Sequence, residues 1–350
     1  MESEIRVQQE EFEKAARSFS LLKQLDGKYV FLTGATGLIG TQIAKTLLCY
    51  NRLFGSNIHV IVCGRSEEKL GTIYGALPVK RIISDVLYPM KTELPVDYII
   101  HCANATSSQF FVENPVDTIQ TAINGTTNML ELAKEKKVKG FLFTSSLEVY
   151  GVPEKQNVKE TDYGFIDFLN VRSSYSESKR MAECLCKAYS LQYGVPIKIA
   201  RLTQTIGSGV DYHDNRVFAQ FARSVIEKKD IILNTAGRTV RSYCDITDAV
   251  KGILTVLIKG QVGEAYNIAN KDTTISIAEM AQFVCDHFKD SGIKVVFNSP
   301  QNVEKLGYNP EMQISLNTEK LEALGWKAEV GLEEIFRKLI EGLRKNLASD

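Results

Sequence analysis

Short, unbroken apolar runs recur along the first part of the chain, each separated from the next by an amphipathic stretch. The runs predict strands at Tyr29–Thr33, His59–Cys63, Arg81–Ser84, Tyr98–His101, Gly140–Ser145 and Ile197–Arg201. The intervening stretches predict helices at 38–54, 115–137 and 173–193. Continuous apolar strands joined by helix-length spacers imply a parallel sheet covered on both faces. The expected fold class is therefore α/β, with a Rossmann-type sheet over residues 27–202.

The pattern changes at both ends. Residues 1–26 are charged and read as an extra helix outside the core. After Leu202 the alternation loosens: helices are expected at 215–229, 246–259, 276–289 and 330–345. Short strands are expected at Ile231–Leu233, Ala265–Ile268 and Val295–Phe297. Residues 203–350 should mainly form a smaller, C-terminal substrate-binding lobe, with some segments returning to the main domain. Such a lobe would sit over the carboxyl ends of the strands, where open sheets bind ligands.

Charge narrows the function classes. Lys plus Arg and Asp plus Glu number 42 each, so no net positive field favours nucleic acid or an anionic bilayer. Lys134-Glu-Lys-Lys137 is a short mixed cluster that suits a solvated helix face. No apolar stretch approaches the ~20 residues that cross a membrane. The start, Met-Glu-Ser-Glu-Ile-Arg, lacks the order of a secretory signal. Seven scattered cysteines show no metal-ligand spacing, and neither His59 nor His213 adds one. Cys184 and Cys186 sit two apart on a predicted helix and face different directions. Reduced thiols in a cytoplasmic protein without a metal are the expectation.

Candidate chemistry begins where the first strand ends. Thr33-Gly-Ala-Thr-Gly-Leu-Ile-Gly40 follows a strand and opens a helix, the context that a dinucleotide-binding turn needs. Gly34 permits the tight turn, Gly37 lets backbone approach a pyrophosphate, and Gly40 lets the helix pack closely. Thr36, Leu38 and Ile39 complete the turn, with N–H groups at the helix start facing the phosphates. The second strand ends in Cys63-Gly64-Arg65-Ser66, without the acid that holds both ribose hydroxyls of NAD. Arg65 suits a 2′-phosphate or a stack on adenine, or is a surface arginine, so NAD and NADP both stay open. Asp85 can accept from the adenine amino group while Val86 packs nearby.

Tyr175 and Lys179 lie four apart on a predicted helix and so share a face. An ammonium near the phenol favours phenolate. Tyr175 can then take a proton from a substrate hydroxyl while hydride leaves the same carbon. Ser146, at the end of the preceding strand, can donate to the developing oxyanion.

With these motifs the chain resembles the extended short-chain dehydrogenase/reductase family, specifically its NAD-dependent nucleotide-sugar epimerase/dehydratase branch. The resemblance runs from about residue 28 to 345. It rests on the glycine turn, His101-Cys-Ala103, Asn114-Pro115, Asn124-Gly-Thr126, Ser145-Ser-Leu-Glu-Val-Tyr-Gly151 and Tyr175–Lys179. Arg201-Leu-Thr-Gln-Thr-Ile-Gly207, Arg241, Asp248 and Leu324-Gly-Trp326 extend it. It implies an enzyme that oxidises a sugar carbon of a nucleotide-diphosphate sugar, with Ala103 beside the cofactor. Dehydratases have Thr-Asp-Glu where this chain has Ser146-Leu147-Glu148, and Leu147 cannot protonate a leaving hydroxyl. Glu148 and the following Val149-Tyr-Gly151 are closest in pattern to UDP-glucuronate decarboxylases, as is Arg172. There a 4-keto intermediate turns the C5 carboxylate into a β-keto acid, which loses carbon dioxide.

Gln204 departs from that pattern, which has Asn, as does Arg238-Thr-Val-Arg-Ser-Tyr-Cys244. Arg241 suits the substrate diphosphate, or else a salt bridge to Asp245 or Asp248; Arg216 adds a second contact. Asp248 is expected to tie a helix start to that loop, and His101 and Asn124 to be structural. The alternatives are a 4-epimerase, a 4,6-dehydratase and an NADPH-dependent keto-sugar reductase. A non-enzymatic nucleotide sensor or scaffold stands as another class. The resemblance also implies a homodimer through helices 115–137 and 173–193.

Overall fold

The computed structural model describes residues 4–298 and 311–347. Seven parallel strands form the central sheet: β1 (Tyr29–Thr33), β2 (His59–Gly64), β3 (Val79–Ile83), β4 (Tyr98–His101), β5 (Gly140–Ser146), β6 (Ile197–Leu202) and, later in the chain, β10 (Ala265–Ile268). Their order is β10-β6-β5-β4-β1-β2-β3. The order reverses between β1 and β4, the kind of switch point at which open sheets form their ligand crevice outside the carboxyl ends of the strands.

Alternation along each strand sends neighbours to opposite faces. On one face, Val30, Leu32, Val60, Val62, Ile100 and Leu142 pack under α2 (Leu38–Phe54) and α8 (Ile246–Lys259). On the other, Phe31, Ile61, Ile99, Phe141, Phe143 and Ile199 pack under α5 (Pro115–Lys136) and α6 (Ser173–Tyr193). Apolar strands are therefore required on both sides, which is why the runs are unbroken in sequence. Two further helices lie between strands, α3 (Glu67–Tyr74) and α4 (Ser108–Glu113). β3 starts at Val79, two residues before the expected strand, because Lys80 and Arg81 take exposed edge positions.

The N-terminal helix forms as α1 (Glu4–Arg17), but it does not stand outside the core. Phe12, Ala16, Phe19, Leu22 and Leu25 are buried in the same cluster as α2 and α8.

The remaining strands are short and belong to two small sheets. One has the order β11-β9-β7, from β7 (Gln204–Ile206), β9 (Val240–Asp245) and β11 (Asn270–Ser276). The other pairs β8 (Ile231–Leu233) with β12 (Val295–Phe297). With α7 (Val217–Glu227), α9 (Ile277–His287), α10 (Glu319–Glu322) and α11 (Leu332–Leu347), these follow β6 in the chain. Phe218, Phe221, Met280, Phe336 and Leu339 form a second core there. The partition at residue 202 is not clean: β10 lies alongside β6 in the main sheet, with α8 packed on the same sheet.

Candidate functional site

The glycine turn occupies the crevice between β1 and β4. Gly34 has φ +64°, and a Cβ there would lie 2.8 Å from the backbone of Cys102 and Ala103. At Gly40 a Cβ would strike the Gly34 carbonyl, so α2 approaches the strand only without one. Gly37 differs: a Cβ there would meet only the Gly34 carbonyl, at 3.4 Å. The protein itself tolerates a methyl at 37, so the bareness serves something approaching from outside. Gly37 is also the N-cap of α2 and supplies no side-chain cap, which leaves the first-turn N–H groups of Leu38, Ile39 and Gly40 available. A pyrophosphate fits this cradle. Thr36 lines it from beside Gly64, its methyl 3.4 Å from where a Gly64 Cβ would sit.

The strand end at Gly64 carries no carboxylate, and Arg65 is 79% exposed with a loose ion pair, 3.7 Å from Asp85. Asp85 also accepts from the Leu87 N–H at 3.0 Å. Val86 is buried against Gly125 of α5, and its carbonyl accepts from the Asn128 side chain at 2.8 Å. That bond is the kind of support expected of Asn124, which is instead exposed.

Beneath the crevice, His101 Nδ1 and Thr33 Oγ1 are 2.7 Å apart, and the Ala103 N–H donates to Thr33 Oγ1 at 3.2 Å. Burial and the Lys179 charge push His101 down to about 3, so it is neutral and structural. Thr33 thereby fixes the Ala103 backbone beside Gly34.

Tyr175 and Lys179 come from the first turns of α6. Lys179 Nζ donates to the Thr144 carbonyl at 2.8 Å and lies 5.8 Å from the centre of the Tyr175 ring. Both side chains are buried. Burial lowers Lys179 to about 8, with Cys102, Glu183 and Cys186 opposing. Burial drives the Tyr175 hydroxyl well above the usual tyrosine range, and the Glu148 charge adds to it. A Ser146 hydrogen bond and the Arg172 and Arg216 charges offset part of the rise. Loss of solvent therefore disfavours the phenolate, and the charges that favour it at Tyr175 come from Arg172 and Arg216.

Ser146 ends β5 and accepts the Glu148 N–H at 3.2 Å, so it caps the turn that carries Glu148. The Glu148 carboxylate is held on both oxygens, by Arg172 Nη2 at 2.9 Å and by the Ser176 hydroxyl at 3.1 Å. Arg172 thus spends one edge on Glu148; its Nε and Nη1 are buried without a hydrogen-bond partner among the described residues. Leu147, between Ser146 and Glu148, is buried and apolar. Behind this turn, buried Arg201 grips Glu183 of α6 and the Tyr150 hydroxyl.

Two further side chains contribute to the site without a clear signal in the sequence. Phe111 of α4 stacks on Tyr175, with ring centres 4.2 Å apart and planes at 10°, and Arg172 lies 4.8 Å from the same ring. Ser176 was hidden inside the Tyr-Ser-Glu-Ser-Lys motif as the residue next to the tyrosine. The doubled Phe110-Phe111 before the helix break at Asn114-Pro115 was the one available signal for Phe111.

Of the candidates in the smaller lobe, Arg216 acts on the same centre. Arg216 caps α7, pairs with Asp214 at 2.6 Å, and its charge reaches Tyr175. Gln204 begins β7, in register with Tyr243 of β9. Arg241 forms no ion pair among the described residues; Nη2 donates to Met312 Sδ at 3.6 Å and Nε is buried without a partner. The salt bridge weighed for it does not form, because both acids are engaged elsewhere. Asp245 takes the Thr247 N–H and Lys338, while Asp248 takes the N–H groups of Glu329 and Val330, tying α8 to the segment before α11. Among the described residues no cluster of His, Cys, Asp and Glu is arranged to hold a metal, and no helix is long and apolar enough to cross a membrane.

A family model described as the NAD dependent epimerase/dehydratase family matches residues 30–269. UDP-glucuronic acid decarboxylase 6 of Arabidopsis thaliana is 32% identical over 323 residues, covering 91% of this chain and 89% of that protein. UDP-glucuronic acid decarboxylase 1 of Xenopus tropicalis is 30% identical over 348 residues, covering 97% and 79%. Among solved structures, an epimerase of Methanothermobacter thermautotrophicus superimposes with a TM-score of 0.79 at 20% identity, covering 95% of this chain and 96% of that one. A dTDP-glucose 4,6-dehydratase of Streptomyces venezuelae, with NAD bound, gives 0.75 at 20% identity, covering 91% and 98%.

Proposed function

The chain belongs to the NAD dependent epimerase/dehydratase family, and from that premise we propose an enzyme that modifies a nucleotide-diphosphate sugar through a transient keto-sugar. Within that class the reading is decarboxylation of a UDP-uronate, as the names of its relatives describe for them. Glu148 carries the reading. It is fixed by Arg172 and Ser176 within the electrostatic reach of Tyr175, and the residue before it is a buried leucine. A dehydration would need an acid at 147, and Leu147 cannot give a proton.

The Gly34–Gly40 turn, Asp85, Val86 and Ala103 would hold a nicotinamide dinucleotide, which when bound would supply reversible hydride acceptance at the sugar carbon. Tyr175 takes the proton of the reacting hydroxyl and later returns it, and Ser146 orients that hydroxyl. Lys179, already engaged with the Thr144 carbonyl, places its ammonium behind the phenol as cofactor and substrate fill the crevice. The unpartnered edge of Arg172 receives the sugar carboxylate beside Glu148. Loss of carbon dioxide leaves an enolate, which Ser146 and Tyr175 stabilise as donors and which takes a proton at carbon from a water molecule. Arg241, with no ion pair among the described residues, binds the diphosphate, and Gln204 and Arg216 border the sugar.

A second feature concerns the cofactor. The bare strand end at Gly64 and the exposed Arg65 suit a 2′-phosphate on the adenosine ribose, as in NADP, whereas a cycle that returns its hydride suits tightly held NAD, so both dinucleotides stay open. The same reading includes a homodimer through α5 and α6, supported by the exposed apolar side chains Val116, Ile119 and Met181.

The test is incubation with UDP-glucuronate and each dinucleotide in turn, followed by mass analysis. A product lighter by carbon dioxide is expected. An unchanged mass with inverted stereochemistry would replace the reading with epimerisation, and loss of water with dehydration.

A further inference from the structure

One buried charge cluster lies outside the chemistry just described, and it begins on the N-terminal helix. Glu11 of α1 is 4% exposed. One of its carboxylate oxygens accepts from the Ser208 hydroxyl. The other lies 3.2 Å from Lys338 of α11, which is also buried. The same ammonium reaches Asp245, at the end of β9, at 3.0 Å. Gln8, one turn before Glu11, donates to the Ser208 carbonyl at 3.3 Å.

Each partner lies in, directly after or packed against an element that carries or is capped by a substrate-side residue of the proposed site. Ser208 follows β7, which begins with Gln204. Asp245 ends β9, which carries Arg241. Lys338 lies on α11, whose Phe336 and Leu339 share a core with α7, the helix that Arg216 caps. The turn at Ser208–Gly209 is wedged on two further sides. A Cβ at Gly342 of α11 would strike the Ser208 carbonyl, and one at Gly209 would lie 3.2 Å from Leu38, the first residue of the phosphate helix. Through Phe12 and Ala16, meanwhile, α1 is embedded in the core of the dinucleotide domain.

Two carboxylates on one ammonium, removed from water, are a poor source of stability, because desolvation offsets most of the attraction. Such a cluster is better suited to fixing a register than to strengthening a core. Here it fixes the small lobe against a helix anchored in the large one. We infer that Glu11 is a positioning residue for substrate: through Ser208, Lys338 and Asp245 it sets where β7, β9 and α7 present Gln204, Arg241 and Arg216 to the sugar nucleotide. Its effect on substrate rests on the reaction proposed above; its effect on the lobe does not.

The experiment uses the full chain with Glu11→Gln, read in two ways. Without ligand, hydrogen exchange should speed up in residues 204–210 and 240–245 and stay unchanged in 29–33 and 98–101. With UDP-glucuronate, KM should rise about ten-fold while kcat changes little and dinucleotide affinity is retained, the signature of lost binding alignment without lost chemistry. Ser208→Ala, which removes one hydroxyl only, should produce the same pattern more weakly and guards against a Glu11 variant that does not fold. Unchanged exchange in both small-lobe segments, or equal acceleration everywhere, would overturn the inference. A wild-type protein inert toward UDP-glucuronate would refute the reaction instead, and the exchange result would still decide the role of Glu11.

Discussion

The tyrosine at 175 sits where two opposing effects can be weighed. Its ring is covered by Phe111, and burial, with the Glu148 charge adding to it, holds its hydroxyl above the usual tyrosine range. Its role in turnover therefore depends on a filled crevice. Tyr175→Phe should retain dinucleotide affinity and lose at least about a hundred-fold in kcat, the scale of a missing acid–base group; cofactor fluorescence and product mass would check both. Lys179 permits a sharper test. Its folded value of about 8 lies below the ordinary 10.5, so between those values the unfolded chain holds a proton that the folded chain has released. Stability from this group then rises with pH at up to about 1.4 kcal/mol per unit, and the penalty is complete below pH 8. Denaturant unfolding of wild type and Lys179→Met across pH 7–10 should show the wild type gaining on the variant as pH rises. A constant difference would contradict it. At the far end of the crevice, Arg65→Ala should weaken NADP about ten-fold and leave NAD unchanged, as expected when one phosphate contact is lost.

At the level of elements, the sequence was most informative where burial was two-sided. The first, second, fourth, fifth and sixth strands lie within a residue of their expected ends because an unbroken run such as Val30–Leu32 has no other stable placement. The small-lobe strands β7, β9 and β11 went unread for the converse reason. Val240-Arg-Ser-Tyr-Cys-Asp245 mixes charged, polar and apolar residues in a narrow sheet, and no period emerges. α3 was missed because it buries only Leu70 and Tyr74. α4 is a six-residue helix, too short for periodicity, yet it brings Phe111 to Tyr175. The glycine turn was legible because conformation and spacing coincide in it; the grip of Arg172 and Ser176 on Glu148 was not, since it needs the loop and α6 in place. Phe111→Ala should admit water to Tyr175 and lower the pH at which the phenol ionises, visible as a shift in its ultraviolet titration. No shift would mean that burial by α4 is not what raises it.

For the molecule as a whole, the sheet order and its switch point follow from the alternation of strands and helices, whereas the joining of the lobes does not. Contacts such as Glu11 to Lys338 span most of the chain, and no local pattern signals them. The charged character of residues 1–26 pointed away from the core, although Phe12, Ala16 and Phe19 were present to be buried. Self-association belongs to the same scale. Met181→Glu places a charge on the exposed face of α6 and should shift a dimer to monomer in sedimentation. An unchanged mass would move the interface elsewhere.

The claim on which the account turns is that this crevice removes carbon dioxide from a sugar that it first oxidises. UDP-glucuronate labelled at its carboxyl carbon, given to the wild-type protein with NAD or NADP, measures this directly. The account predicts labelled carbon dioxide and a UDP-pentose in equal amounts, with neither formed by Tyr175→Phe. Label retained in the sugar, or released equally by that variant, would contradict it.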